Sequence, residues 1–106
     1  MDEKQVLELL SKYIRFLKEH NINIEDAFLF GSYGRKEQTS TSDIDVLLVI
    51  SDLDRFTDEL IIGKIWRLSK EYDQRIEPLI ISKKRFREDD ISPVLISIKR
   101  ESISLT

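Results

Sequence analysis

The chain has no cysteine and only one histidine, His20. Disulfides and thiolate metal sites are therefore excluded, as is a zinc site built from histidines alone. Any metal must be held by oxygen, which selects a hard cation such as Mg2+ or Mn2+. Glycine is scarce, and its three occurrences form neither a G-x-G-x-x-G dinucleotide fingerprint nor a Gly-Lys-Ser/Thr phosphate loop. No apolar run approaches the roughly 20 residues needed to span a bilayer. There is no basic excess: 17 basic and 20 acidic residues are interspersed and give a formal charge of −3. That balance argues against a dedicated DNA-binding domain and suits a globular protein. The N-terminal "MDEKQVLELL" is acidic and amphipathic, unlike a signal peptide, so a cytoplasmic location is expected.

At 106 residues the length fits a single domain, residues 1–106, with enough burial for a core. Val6, Leu9, Leu10, Tyr13, Ile14 and Leu17 recur at helical spacing and predict a helix from Asp2 to about Glu19. Asn21 is expected to end it in the left-handed conformation. "AFLF" reads as a buried strand closed by Gly31, with one or two helical turns beginning near Ser32. "DIDVLLVI" is the strongest strand; past Asp45 it is apolar on both faces and should be central and covered on both sides. A helix is expected from Ser51 or Asp52 to about Asp73, with Leu60, Ile61, Ile65, Leu68 and Tyr72 available for burial. "RIEPLII" is a third strand, and Pro78 confines it to an edge or a bulge. A turn of helix at "SKKRF", a helix capped by Ser92 with Pro93 at its first position, and a closing "SISL" strand complete the chain. The fold class is thus α/β (α+β): a small mixed β-sheet with helices packed against it.

Most of the chemistry lies in "FLFGSYGRKEQTSTSDIDVLLVI", Phe28 to Ile50. Asp43 and Asp45 stand at i and i+2 of a strand and project from one face. Two carboxylates this close repel, and a divalent cation bridging them removes the conflict. The alternative is structural, with Asp43 capping the turn before the strand and Asp45 paired with Arg35 or another basic residue. Gly31 and Ser32 follow a strand and precede a helical start. There backbone N–H groups, helped by the Ser32 hydroxyl, can hold a phosphate, although an ordinary turn has the same appearance. A phosphate cradle beside a metal cradle is what a metal-bound nucleoside triphosphate requires.

This combination resembles the nucleotidyltransferase superfamily with the DNA polymerase beta-type catalytic domain. It is most similar to the minimal nucleotidyltransferase antitoxins, which are often encoded beside a helical HEPN-type toxin. Their motif is Gly-Ser, an aromatic, a small residue and Arg, followed after a polar loop by Ser-Asp-x-Asp. The matching residues are Gly31, Ser32, Tyr33, Gly34, Arg35, Ser42, Asp43 and Asp45. The tail is also similar, with Ser102 in place of a glycine and Thr106 in place of a tyrosine, departures expected to affect packing. Lys36 stands where many relatives have glycine and is read as solvated.

The resemblance implies a polymerase beta-type core and a third acid on a later strand. Glu77 is the best candidate, one methylene longer than the family's usual aspartate, although an edge-strand glutamate paired with Arg75 or a lysine has the same appearance; Asp73 is the alternative acid. It further implies nucleotide binding by Gly31, Ser32, Arg35 and Ser42, and metal binding by Asp43, Asp45 and Glu77. Arg35 either touches phosphate or braces the aspartates. The cofactor is Mg2+, in one or two ions, with Mn2+ as a substitute. The implied reaction passes a nucleoside monophosphate, AMP from ATP, to a hydroxyl acceptor, and the implied acceptor is a HEPN-type toxin protein. The competing reading is an antitoxin that neutralises its partner by binding alone. The basic cluster Lys83, Lys84, Arg85 and Arg87 is one docking candidate, and both homo- and hetero-oligomeric states stay open.

Overall fold

A computed structural model describes residues 2–34, 43–53 and 58–106, with only the backbone of Ser32 and Gly34. The first helix, α1, spans Glu3–Glu19. Asp2 caps it: its carboxylate accepts from Gln5 N, and the Gln5 side chain accepts in turn from Asp2 N, so two otherwise unpaired donors are satisfied. Asn21 has a φ of 66°, the left-handed conformation expected after the helix.

Strand β1 (Ile24–Phe30) runs into α2, a single turn over Gly31–Gly34. Strand β2 covers Ile44–Ile50, α3 Asp58–Tyr72 and β3 Ile76–Ser82. Helices α4 (Lys83–Glu88) and α5 (Pro93–Glu101) follow, and β4 (Ile103–Ser104) closes the sheet. The strand order is β3-β2-β1-β4. β2 pairs antiparallel with β1 and parallel with β3, so the sheet is mixed and β2 is central, as its apolar character requires. Pro78 lies on β3, an edge strand where a missing donor is tolerated.

Alternation along the strands divides the core in two. Ala27, Leu29, Val46, Leu48, Ile50 and Ile76 face α1 and α3, where Val6, Leu10, Tyr13, Leu17, Ile65 and Leu68 pack against them. Leu47, Val49 and Ile81 face the other way and are covered by Leu95 and Ile98 of α5, with Phe86 of α4 alongside. Asp45 and Glu77 belong to this second face by the same alternation.

Two expectations are corrected. Ser51 and Asp52 form a turn, held by side-chain hydrogen bonds to Glu25 of β1 and to Asn23 just before it, and the described part of α3 begins at Asp58. Leu60 is 77% exposed, since only one stripe of α3, through Ile65 and Leu68, reaches the sheet. Among the described residues no helix is long and apolar enough to cross a membrane.

Candidate functional site

The site lies where β1 ends and β2 and β3 begin. Antiparallel register places Phe30 opposite Asp45, and parallel register places Asp45 beside Glu77. The turn at Gly31 is thus brought against the head of β2. Gly31 has a φ of 69°, a conformation glycine adopts without steric cost. It is also packed directly under Asp45. A Cβ built on Gly31 would overlap Asp45 Oδ2 and would lie 3.0 Å from its Cγ and 3.2 Å from its Cβ. Two requirements, the positive φ and the close approach of a carboxylate, therefore select glycine at this position.

Tyr33 fixes the turn. Its side chain is 3% exposed and belongs to the core cluster of α1 and α3. The motif's aromatic residue is thus an anchor, a role the sequence pattern by itself did not assign. Asp43 is exposed, one residue before β2, and Asp45 is half-buried two residues later. Ile44, between them, is fully buried and donates its N–H to Arg75 O at 2.9 Å, which fastens the head of β2 to the turn before β3.

Glu77 shares the sheet face of Asp45, yet its carboxylate is engaged elsewhere. Lys70, in the last turn of α3, donates from Nζ to Glu77 Oε1 at 2.8 Å and to Gln74 O at 3.0 Å. The same ammonium lies 5.4 Å from the Trp66 ring centroid. Asp73 is committed to a turn: it accepts from Arg75 N, Nε and an Nη at 2.9, 3.0 and 2.7 Å. The Arg75 hydrogen bond to its side chain holds the Asp73 carboxyl below its ordinary range. Among the described residues no three acidic or histidine side chains converge closely enough to hold a metal. Arg35, Lys36 and Ser42 lie outside the described residues, as does the Ser32 side chain.

The oxygen donors nevertheless suit a hard cation. Asp43 and Asp45 supply carboxylates at one strand end, and the missing side chain at Gly31 lets the Asp45 carboxylate lie against the turn. His20 takes no part: it caps α1, and its Nδ1 hydrogen-bonds Phe16 O at 2.8 Å. Of the tail departures, Thr106 ties to β1 through a hydrogen bond from Oγ1 to Asp26 Oδ1.

The profile of the nucleotidyltransferase domain family matches residues 10–103, and the chain belongs to that family. The resemblance carried by the Gly-Ser and Asp-x-Asp motifs is therefore borne out. Two proteins of Methanocaldococcus jannaschii, both provisionally named protein adenylyltransferases, are 46% and 43% identical to it over 44 residues. That segment is 42% of this chain and 44% of each relative, so less than half the length of either relative is matched. Among solved structures, a provisionally assigned nucleotidyltransferase from Sulfolobus solfataricus superposes with a TM-score of 0.65 at 17% identity, covering 96% of this chain and 80% of the other. A mutant of the toxin–antitoxin MntA–HpeT superposes with a TM-score of 0.52 at 16% identity, covering all of this chain and 73% of the other. At such identities these likenesses establish the shared fold, a mixed sheet with helices on both faces.

Proposed function

We propose that residues 1–106 form one metal-dependent nucleotidyltransferase domain that transfers AMP from ATP to a hydroxyl of a partner protein. The observation that carries this reading is the packing of Asp45 against Gly31. It joins a glycine turn suited to phosphate and a carboxylate suited to a cation in one place. Asp43 and Asp45 would hold Mg2+, and Glu77 would join them at the neighbouring strand head. Bound there, the cation supplies charge neutralisation for the triphosphate and lowers the pKa of an attacking hydroxyl.

The chain's own groups do the rest. Backbone N–H groups at Gly31 and Ser32 bind the β- and γ-phosphates, with the Ser32 hydroxyl, Arg35 and Ser42 as further contacts. Tyr33 keeps the turn seated, so phosphate and carboxylates hold their spacing. Glu77 accepts the proton of the acceptor hydroxyl as that oxygen attacks the α-phosphorus and pyrophosphate leaves. No covalent protein intermediate is required; positioning carries the rate.

The partner is proposed to be a HEPN-type toxin, with this chain as its antitoxin in the cytoplasm. The names of the curated relatives and the toxin–antitoxin structural neighbour support that reading. Within the basic cluster, Lys83 pairs with Glu25 at 3.1 Å and Arg85 with Asp89 at 3.3 Å, while Lys84 and Arg87 are exposed for docking. A second reading, neutralisation by binding alone, is favoured by one observation: Glu77 is engaged by Lys70 rather than gathered with the aspartates. Co-expression with the product of a neighbouring gene, followed by the intact mass of that product, separates the two. Adenylyl transfer adds one AMP moiety, and Asp45→Asn abolishes the gain. An unmodified partner whose toxicity is still suppressed by Asp45→Asn would overturn the enzymatic reading.

A further inference from the structure

The third acid of the proposed site is held by a lysine from a different element. Glu77 sits in register with Asp45 on the adjacent strand and projects from the same face of the sheet. Lys70 holds it instead, at 2.8 Å. The two side chains are 35% and 38% exposed, so the pair is neither buried nor costly to open. It is also asymmetric. When Glu77 leaves, Lys70 keeps its hydrogen bond to Gln74 O and its place over Trp66. The ammonium thus has two contacts besides Glu77, to Gln74 O and to the Trp66 ring.

We infer that Lys70 is a positioning residue that holds Glu77 off the metal-binding oxygens until a cation draws it away. The inference rests on the proposed role of Asp43, Asp45 and Glu77. It adds that the cation and Lys70 compete for one carboxylate, so the site is completed only on loading. The engaged Glu77 and the lack of a converged acid triad are then the resting state of an active site.

The test is Mn2+ binding, read from the electron paramagnetic resonance signal of the free ion. It uses the full chain as wild type, Lys70→Met, Lys70→Arg, Glu77→Gln and the double variant Lys70→Met with Glu77→Gln. Lys70→Met should bind Mn2+ roughly two- to fivefold more tightly, the worth of an exposed ion pair. Lys70→Arg, which keeps the pair, should bind as wild type does. The gain should vanish when Lys70→Met is made in Glu77→Gln, because the competition has been removed. Equal affinities for wild type and Lys70→Met overturn the inference. So does an equal gain in the Glu77→Gln background, which would mark a diffuse charge effect. Wild-type Mn2+ binding that Asp45→Asn leaves unchanged overturns the metal site itself, and the Lys70 inference with it. Circular dichroism of each variant confirms the fold, and Lys70→Arg supplies a conservative control.

Discussion

Gly31 and Asp45 occupy each other's space: the carboxylate of Asp45 fills the position a side chain on residue 31 would need. Gly31→Ala should therefore fail on two counts. The positive φ costs about 1–2 kcal/mol for an L residue. The overlap with Asp45 adds to this unless the carboxylate moves. In Asp45→Ala the overlap with the carboxylate is gone and only the 3.2 Å approach of the two Cβ atoms stays, so Gly31→Ala should be less destabilising there than in the wild type. Urea unfolding of the four proteins measures this; equal costs in both backgrounds would show that the two residues do not compete for space.

Asp43 is exposed at the head of β2, so Asp43→Asn should change stability by no more than about 0.5 kcal/mol. It should nonetheless remove Mg2+-dependent nucleotide binding. Calorimetry with ATP, GTP, CTP and UTP, with and without Mg2+, reads both the metal requirement and the base preference. Heats that are the same with and without Mg2+ would refute the role of the aspartate pair.

Tyr13 and Ser69 form a buried hydroxyl pair between α1 and α3, 2.5 Å apart. Ser69 Oγ also lies 2.6 Å from Ile65 O and donates to it. Its one proton is thus used, and Tyr13 must be the donor to Ser69. Ser69→Ala strands a buried O–H and should cost about 1–3 kcal/mol, whereas Tyr13→Phe removes that donor and should cost about 0.5–1.5 kcal/mol. Thermal denaturation ranks them, and the reverse order would contradict the assigned donor.

Burial pushes the Tyr13 phenol up to about 12. A raised folded pKa favours the fold below the unfolded value near 10, and that contribution is lost as pH rises from about 10 through 12. The wild type should lose stability across that window, and Tyr13→Phe should show a smaller loss. Identical alkaline profiles would contradict the assignment.

Asp89 accepts from Ser92 N and Oγ and from Ile91 N, at 3.0, 2.7 and 3.0 Å, and so fastens the loop between α4 and α5. These bonds, with that from Ser92 N foremost, hold its carboxyl well below the usual range. A depressed folded pKa stabilises above the unfolded value near 3.9 and is lost as pH falls through the folded one. Asp89→Asn should be less stable than wild type at neutral pH, with the gap closing in strong acid. A gap that stays constant from pH 7 to pH 2 would refute this.

What the sequence determined by itself was whatever depends on neighbours along the chain. The apolar stripe of α1, Asn21 as its end, the two-faced apolar run of β2 and Pro78 at an edge are local patterns, and each appears as read. The Asp-x-Asp and Gly-Ser motifs were legible for the same reason. Tertiary structure alone decided which distant groups meet. Tyr33 reads as one aromatic in a polar loop but is an anchor because the sheet face covered by α1 and α3 receives it. Leu60 reads as core but is exposed because the sheet accepts only one stripe of α3. Glu77 was legible as an acid at a strand head that could pair with Arg75 or a lysine, but that the partner is Lys70 was not. That pairing depends on how α3 returns to β3, and the spacing of charges along the chain does not encode the angle at which two elements pack.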